Sequence, residues 1–281
     1  MQSLPNDLVD TVQRALAEDI SSGDINAQLV SIEKIAKAQV ICRESAVLCG
    51  IPWFNEVFKQ LDKTIQIEWQ VQDGDMLTAN QLICRLEGKA RTLLSGERTA
   101  LNFLQLLSGT ATTTKRYVTQ IQQTHAQILD TRKTIPNLRG AQKYAVRCGG
   151  GQNHRMGLYD AFLIKENHII AAGSIRQAVE IARKISPHLL IEVEVENFAQ
   201  IEESLAIGVE RLLLDNFDII QLKAAVALVQ GRTKLEASGG ITEDTLTAIA
   251  ETGIDYISIG VITKDVKAVD FSMRIKEVNV V

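Results

Sequence analysis

The sequence has few of the features that mark secreted, membrane-spanning or zinc-binding proteins. Only four of its 281 residues are cysteines, and no two of them form a C-x-x-C pair. We therefore expect neither a disulfide framework nor a structural zinc site. No apolar run approaches the ~20 residues that a transmembrane helix needs, and the N-terminal segment lacks the basic start and apolar block of a secretion signal. These absences predict a cytoplasmic protein with reduced thiols.

An excess of positive charge is also absent. The chain has 30 basic and 34 acidic residues, which gives a formal net charge of −4. Because nucleic-acid-binding domains normally carry a clear excess of lysine and arginine, we expect no nucleic-acid partner, and no membrane partner either. The composition is otherwise that of an ordinary globular protein, 46% hydrophobic and 23% charged. Any cluster of cations in this chain must therefore be local.

The first 112 residues predict a mixed α+β domain. Apolar residues recur at helical spacing between residues 7 and 20. Two segments, 38–41 and 64–71, are predicted strands, and the second alternates apolar and polar residues as a half-buried strand does.

A long helix is predicted over residues 91–122, with Ser95 as an N-cap and Gly109 as a candidate break. Most of this helix is apolar. Three polar residues nevertheless share one stripe at positions i, i+4 and i+7: Arg98, Asn102 and Gln105. The stripe indicates either a solvent-exposed face or the lining of a polar site, including a site that crosses a subunit boundary.

From about residue 126 onwards, short apolar runs alternate with helical segments. Helices are predicted at 175–184, 198–206, 219–229 and 243–251. The six apolar runs are QILD (127–130), AFLIK (161–165), LLIEVEVE (189–196), RLLLDNF (211–217), KLEASGG (234–240) and DYISIGV (255–261). This alternation predicts parallel strands joined by right-handed crossovers, as in a (β/α) barrel. Six strands are evident, so a full set of eight is not implied.

Polar residues follow every one of these predicted strands, where barrel enzymes carry their functional groups. The groups are Asp130 to Lys133, Lys165 to His168, Glu192 with Glu194 and Glu196, Asp215 with Asn216, Ser238 to Gly240, and Ser258 to Gly260.

Four cations are expected to meet at the mouth of this barrel: Arg132, Lys133, Arg155 and Lys165. Burying unpaired cations costs several kcal/mol per ion, so their convergence predicts an anionic ligand. Glycines at 239, 240 and 260 let backbone N–H groups approach a phosphate. The carboxylates of Glu194 and Asp215 suit ribose hydroxyls or a hard cation such as Mg²⁺. The residues together predict a site for a phosphate-bearing polyanion and a second acidic ligand.

Seven blocks of the sequence resemble the quinolinate phosphoribosyltransferase family, in the order and at the spacing of that family. EDISSGDI (18–25) also resembles the family's N-terminal signature. The blocks are SGERTALNFLQLLSGTAT (95–112), LDTRKTIPNLR (129–139), KYAVRCGGGQNHRMGLYDAFLIKENHI (143–169), EVEVEN (192–197), LLLDNF (212–217), LEASGGI (235–241) and GIDYISIG (253–260).

The resemblance implies an α/β protein with an incomplete (β/α) barrel and an N-terminal α+β sandwich domain. We place the sandwich at 1–112 and the barrel at 113–267, with the tail 268–281 returning to the sandwich. The resemblance implies that the protein converts quinolinate and phosphoribosyl pyrophosphate to nicotinate mononucleotide, pyrophosphate and CO₂. This reaction uses Mg²⁺ and belongs to the biosynthesis of NAD. The resemblance also implies a homodimer or larger assembly in which the sandwich of one subunit covers the barrel of the other.

The resemblance further assigns roles to individual residues. Arg98 is implied to reach into the partner's site, and Lys133, Glu194 and Asp215 are implied to be catalytic. Glu194 and Asp215 also correspond to the ribose and metal carboxylates. The quinolinate carboxylates correspond to Arg132, His154, Arg155 and Lys165, with Lys133 and Thr134 also at the substrates. Phosphate binding corresponds to Ser238, Gly239, Gly240, Gly260 and Lys264, the last of which replaces a histidine that is common in the family.

Three alternatives remain compatible with the residues. A paralogue with the same barrel could act on another acidic substrate. A lyase could instead form a Schiff base on Lys165, since neighbouring cations can activate a lysine. A third possibility is a non-catalytic anion sensor that keeps the fold without turnover.

Overall fold

The computed structural model describes residues 3–280, which form two compact units. The first unit contains residues 3–115, 134–150 and 262–280, and the second contains 116–133 and 151–261. No helix within residues 3–280 is both long and apolar enough to cross a lipid bilayer.

Strands and helices alternate along most of the chain, with one short 3₁₀ turn at Ala27–Leu29. The strands are β1 Lys34–Cys42, β2 Ala46–Val47, β3 Gln66–Trp69, β4 Met76–Leu77, β5 Leu82–Lys89, β6 Gln127–Leu129, β7 Phe162–Ile164, β8 Ile191–Val195, β9 Arg211–Asp215, β10 Lys234–Ser238, β11 Tyr256–Ser258 and β12 Phe271–Val280. The helices are α1 Leu8–Ile20, α2 Ile51–Leu61, α3 Ala90–Gln120, α4 Arg139–Cys148, α5 Glu166–Ala172, α6 Ile175–Ile185, α7 Phe198–Ile207, α8 Ile219–Val229, α9 Glu243–Ala250 and α10 Val261–Lys264.

The first unit is built on an antiparallel sheet of order β12-β1-β5-β3. Buried and exposed residues alternate along β1, as expected of a sheet with one solvated face. Its core includes the aromatic side chains of α2, and the rings of Phe54 and Trp69 meet edge to face at a centroid distance of 5.1 Å. The last strand, β12, pairs with β1 from Cys42 back to Lys34. This arrangement confirms the predicted α+β character of the region.

Helix α3 differs from its prediction in two respects. It runs unbroken from residue 90 to residue 120, so the expected break at Gly109 is wrong. Ser95 is not its N-cap either: the helix begins directly after β5, and the Ser95 hydroxyl donates to Asp24 Oδ2 at 2.8 Å. Gly109 is required for another reason, because an added Cβ would lie 2.2 Å from the carbonyl oxygen of Lys267. This glycine therefore lets another part of the first unit approach α3 closely.

The second unit is an open sheet of six parallel strands in the order β6-β11-β10-β9-β8-β7. Each of the six apolar runs forms one of these strands, and helices α6 to α9 lie at the predicted positions. Within residues 3–280, β6 and β7 form no ladder with each other; a single parallel bridge joins Leu129 to Gln152 instead. The predicted incomplete (β/α) barrel is thus confirmed.

The compact units are discontinuous in sequence, whereas the predicted domains 1–112 and 113–267 are continuous apart from the returning tail. Residues 134–150, which include α4, pack with the first unit. A packing unit and an evolutionary domain are different quantities, because a connecting segment can dock on either neighbour. The domain boundaries therefore stay a prediction.

Replacing Gly109 by alanine should destabilise the protein by about 2 kcal/mol or more, because the overlap with Lys267 forces the backbone to shift. Alanine would otherwise favour a helix by ~1 kcal/mol. The measurement is the free energy of unfolding in denaturant. Thr119→Ala, at an exposed position of the same helix, is the control and should be neutral or slightly stabilising. Equal stability of the two variants would contradict the close approach.

Candidate active site

A cavity of about 450 Å³ opens at the carboxyl ends of the parallel strands of the second unit. Nine of the residues predicted from the sequence line it: Arg132, Lys133, His154, Arg155, Lys165, Glu194, Asp215, Ser238 and Gly239. These residues come from five different strand ends and one loop, and the parallel order of the strands brings them together.

The strand register decides which side chains reach the cavity. Asp215 and Ser238 pair with each other at the ends of β9 and β10. On β8, the period of two places Glu192 and Glu194 on one face, but their burial differs. Glu194 lines the cavity, Glu192 is buried beneath it, and Glu196 lies beyond the end of the strand and is exposed. The three glutamates that were predicted on one face of the strand therefore lie in three different environments.

Positive charge collects on one side of the cavity, where Arg132 and Arg155 are neighbours. Burial lowers the pKa of the Arg155 guanidinium, and the positive charge of Arg132 lowers it further. Three carboxylates, those of Glu192, Asp160 and Glu194, act on Arg155 in the opposite direction. This part of the cavity is therefore suited to a ligand with negative charge.

Negative charge collects on the other side. Burial raises the pKa of the Asp215 carboxyl, and the neighbouring Glu194 raises it further. The ammonium group of Lys165 donates a hydrogen bond to Glu194 Oε2 and so offsets part of this charge. Asn216 donates to Asp215 Oδ2 at 3.0 Å. Two adjacent carboxylates with incomplete compensation are suited to a hard cation or to sugar hydroxyl groups.

A buried carboxylate anchors the loop that carries His154 and Arg155. Asp130, which is fully buried at the end of β6, accepts hydrogen bonds from Asn153 Nδ2 at 2.5 Å and from the backbone N–H of His154 at 2.9 Å. The His154 ring continues this network: its Nδ1 accepts from the backbone N–H of Arg155 at 2.7 Å, and its Nε2 lies 2.9 Å from Glu192 Oε2. The main chain at Arg155 is therefore held by several bonds.

Glycine shapes the cavity next to Asp215. Gly239 has a φ of +97°, and an added Cβ would lie 2.1 Å from Asn216 Oδ1. The backbone N–H of Asn216 donates to the carbonyl of Ser238 at 2.9 Å, which ties the ends of β9 and β10 together. Gly260 lies beside Lys133, since its added Cβ would come within 3.0 Å of Lys133 Cδ. Gly240 contributes to a neighbouring shallow pocket instead of to the cavity.

Three predicted site residues belong to the first unit. Arg98 is exposed on α3. The Thr134 hydroxyl accepts a hydrogen bond from Arg139 Nε at 3.1 Å. Lys264 Nζ lies 3.6 Å from Asp265 Oδ2, with both side chains largely exposed. Their roles at the site stay predictions.

Sequence reasoning missed one polar residue of the cavity, Glu236, and two apolar ones, Leu163 and Leu213, and it gave no role to the buried Glu192. Glu236 lies in the middle of β10 and is fully buried, although it belongs to the cavity wall. A sequence signal was present: the carboxylate lies between two apolar residues, Leu235 and Ala237, in the middle of a five-residue strand, where a charged group is rarely buried without a partner.

Comparison with known proteins gives a consistent result for both units. The family models for the N-terminal and C-terminal domains of quinolinate phosphoribosyl transferase match residues 24–108 and 110–274. A probable nicotinate-nucleotide pyrophosphorylase (carboxylating) of Bacillus subtilis is 42% identical over 259 residues, which cover 92% of this chain and 90% of the relative. Its counterpart from Synechocystis is 40% identical over 268 residues, covering 94% and 91%.

Solved structures are similar over the same length. The nicotinate-nucleotide pyrophosphorylase from Francisella tularensis is 49% identical and superimposes with a TM-score of 0.95, covering 98% of each chain. The enzyme from Ehrlichia chaffeensis is 38% identical, with a TM-score of 0.91 over 98% of this chain and 100% of that one. Because both domain models match along one chain and the relatives align over nearly all of it, the protein belongs to the quinolinate phosphoribosyltransferase family.

Proposed function

We propose that the protein is a quinolinate phosphoribosyltransferase, which joins quinolinate to phosphoribosyl pyrophosphate and releases pyrophosphate and CO₂ to form nicotinate mononucleotide for NAD biosynthesis. The observation that carries this proposal is that two sets of charged residues line one cavity: the guanidinium groups of Arg132 and Arg155, which we call the arginine side, and the carboxylates of Glu194 and Asp215, which we call the carboxylate side. A dicarboxylate ring satisfies the first side, and a phosphorylated sugar with a divalent cation satisfies the second. A cytoplasmic location accords with this role and stays a prediction.

Quinolinate would bind on the arginine side. Its two adjacent carboxylates match the guanidinium groups of Arg132 and Arg155, which can each pair with a carboxylate through two parallel hydrogen bonds. Lys165 would add a third cation. Its ammonium group reaches the cavity and can pair with the substrate while it keeps its hydrogen bond to Glu194. The repulsion between the two arginines is relieved when the dianion arrives, which favours binding.

The phosphorylated ribose would bind on the carboxylate side. Glu194 and Asp215 fit a Mg²⁺ ion because both offer oxygen ligands, and because burial and then the charge of Glu194 raise the pKa of Asp215, an effect that a bound cation would oppose. When bound, Mg²⁺ neutralises charge on the pyrophosphate group. Gly239 leaves backbone exposed for a phosphate next to Asn216, and Lys133 stands at the same end of the cavity.

These positions support a substitution at C1 of the ribose. The ring nitrogen of quinolinate attacks C1 while the C1–oxygen bond to pyrophosphate breaks, and the carboxylate of Glu194 stabilises the positive charge that develops on the sugar. Lys133 stabilises the leaving pyrophosphate. Once the nitrogen is alkylated, its positive charge stabilises the electron pair that stays on the ring carbon as the adjacent carboxylate departs as CO₂, and that carbon then takes a proton from water. The chain mainly positions two anions that would otherwise repel each other.

The activity is tested by incubating the protein with quinolinate, phosphoribosyl pyrophosphate and Mg²⁺ and measuring released CO₂. Arg155→Ala should weaken quinolinate binding by at least about 100-fold, because two charge-assisted hydrogen bonds are lost at roughly 1.5–3 kcal/mol each. Arg176→Ala, which removes an exposed arginine of the same unit, is the control and should bind normally.

Failure of the wild-type protein to release CO₂ would reject the proposed activity and favour a paralogue or an anion sensor. Normal quinolinate affinity in Arg155→Ala would reject the arginine side as its site. A Schiff-base lyase is disfavoured because the Lys165 nitrogen is held by the Glu194 carboxylate instead of being presented to a carbonyl carbon. Trapping of a carbonyl substrate on Lys165 by borohydride would reverse that judgement.

We also propose that the protein is a homodimer in which Arg98 completes the site of the partner subunit. Arg98 is exposed on an otherwise apolar part of α3, on the stripe that also holds the exposed Asn102. An exposed guanidinium group is available to pair with a phosphate or carboxylate of a substrate held by the partner.

Mixing two inactive variants, Arg98→Ala and Lys165→Ala, should restore roughly a quarter of the wild-type activity. The reason is that half of the randomly mixed dimers are heterodimers and each of these has one intact site. The matched control mixes Arg155→Ala with Lys165→Ala, where both lesions lie in the barrel and no site is repaired. Subunit exchange is verified with two affinity tags, and exchange without recovery would contradict a shared site.

Gly239→Ala should lower kcat/KM for phosphoribosyl pyrophosphate by at least about tenfold, because the new Cβ displaces Asn216 and with it the Asp215 carboxylate. Gly231→Ala is the matched control. Gly231 also has a positive φ, +73°, but its added Cβ would meet no atom within 4 Å. Both variants carry a backbone strain of ~1–3 kcal/mol, so equal kinetics and equal melting temperatures would refute a special role for Gly239.

A further inference from the structure

A short loop leads from Arg155 to the start of β7, and the carboxylate of Asp160 closes it. Asp160 Oδ2 accepts a hydrogen bond from the backbone N–H of Met156 at 2.6 Å, and Oδ1 accepts one from the backbone N–H of Gly157 at 3.1 Å. These two N–H groups follow Arg155 directly in the chain. Both oxygens of Asp160 therefore hold the backbone next to Arg155. We call residues 155–161 the Arg155 loop.

The bonds to Asp160 are of a strong kind. A hydrogen bond to an ionised carboxylate is roughly twice as strong as one between neutral groups. Gly157 is buried, so that its bond to Asp160 is shielded from competing water. The ring of Tyr159 lies directly over Gly157, where an added Cβ would come 2.3 Å from Tyr159 Cε1. The Arg155 loop is therefore tightly folded around the carboxylate.

Both ends of the Arg155 loop are attached to the rest of the second unit. At its start, the backbone N–H of Arg155 donates to His154 Nδ1 at 2.7 Å. At its end, the backbone N–H of Phe162 donates to the carbonyl of Leu190 at 2.9 Å, where β7 joins β8. Asp160 adds two bonds between these attachments, and the path of the whole loop is fixed as a result.

The guanidinium group of Arg155 also depends on the C-terminal end of this loop. Its Nη1 donates to the carbonyl oxygen of Ala161 at 3.4 Å, and Ala161 directly follows Asp160. Three carboxylates attract the guanidinium group, and Asp160 is the one that lies on the Arg155 loop, whereas Glu192 and Glu194 lie on β8. The loop that carries Arg155 thus supplies both a hydrogen bond and an attractive charge to its side chain.

Asp160 does not act on the substrate directly. Arg155 lines the cavity, whereas Asp160 lies outside the cavity wall. A negative charge would in any case repel an acidic ligand. The contacts of Asp160 with the backbone and with the charge of Arg155 leave two roles for it: a general contribution to stability, or a specific one to the position of Arg155.

We propose that Asp160 is a positioning residue for Arg155: by closing the Arg155 loop, it holds the guanidinium group in the cavity before the anion arrives. A freely rotating arginine side chain loses conformational freedom when it pairs with a ligand, and this loss weakens binding. A guanidinium group that is already oriented loses less and can pair with both oxygens of one carboxylate. The inference rests on the proposed function for the identity of that ligand, quinolinate.

The first test measures the Kd of quinolinate by calorimetry, and the steady-state kinetics, in Asp160→Ala and Asp160→Asn. Asp160→Ala should weaken binding by roughly tenfold or more, because Arg155 must then be ordered by the ligand itself. Asp160→Asn should lose less, since its amide oxygen still accepts from one backbone N–H. Both variants should raise KM for quinolinate more than they lower kcat, as expected when an interaction common to the bound substrate and the transition state is weakened.

Asp255→Ala is the matched control for a general loss of stability. Asp255 Oδ2 accepts from the backbone N–H of Leu235 at 2.9 Å, so this variant also removes a carboxylate that holds backbone. Asp255 directly precedes β11, at the end of the parallel sheet opposite to the cavity. It should lower the melting temperature and leave the Kd of quinolinate unchanged. Normal affinity in Asp160→Ala, or an equal loss of affinity in Asp255→Ala, would overturn the proposal.

A double-mutant cycle shows whether Asp160 acts through Arg155. In a protein that already carries Arg155→Ala, the further change Asp160→Ala should leave the Kd of quinolinate nearly unchanged, because there is no guanidinium group left to position. A further loss as large as that caused by Asp160→Ala in the wild type would mean that the two residues act independently, and the positioning role would be rejected.

Nuclear magnetic resonance of the protein without substrate separates this inference from the proposed function. The Nε–H signal of Arg155, identified as the one lost in Arg155→Ala, should report a restricted side chain in the wild type and a mobile one in Asp160→Ala on the ps–ns timescale. Equal mobility of this side chain in the two proteins would contradict the positioning role. If the signal changes as expected but the wild type does not bind quinolinate, the positioning role stands and the proposed function fails.

Discussion

Like charges held side by side around one cavity are the constraint on which the rest of this structure depends. Arg132 and Arg155 repel each other on one side, and Glu194 and Asp215 repel each other on the other. Opposite charges within the protein offset each set only in part: Glu192, Asp160 and Glu194 act on Arg155, and Lys165 and Lys133 act on Asp215. The fold retains both sets. Under the proposed function, an acidic substrate at the arginines and a cation at the carboxylates would reduce both repulsions.

The parallel sheet makes this arrangement possible because it supports the cavity from below with bonds that are independent of the ligand. Asp130 holds the loop of His154 and Arg155 through backbone and side-chain hydrogen bonds. The ends of β9 and β10 are joined through Asn216 and Ser238. Rigid supports of this kind keep charged side chains in place that would otherwise turn away from one another.

Much of the fold was predictable because the relevant signals are local. All six parallel strands lie within the apolar runs identified from the sequence, since a strand buried on both faces needs a continuous apolar stretch. The errors concern residues whose decisive contacts are with residues far away in the sequence. Gly109 lies inside a helix, and the absence of a side chain there lets the carbonyl oxygen of Lys267 approach closely. Ser95 has the chemistry of an N-cap, yet its partner is Asp24. Neither contact can be predicted from the residues next to it in the sequence.

The sequence by itself determined which residue types stand at the strand ends, because hydrophobic period and chain order are written in it, and those residues indicated an anion site. Only the tertiary structure decided what state each group is in. Glu192 and Glu194 are equivalent by strand period, but Glu192 is buried beside Glu236 and Glu194 faces the cavity. Glu236 acquires its high pKa from burial beside Glu192, two strands away in the sheet. Protonation depends on distance and dielectric surroundings, and these exist only once the strands have assembled.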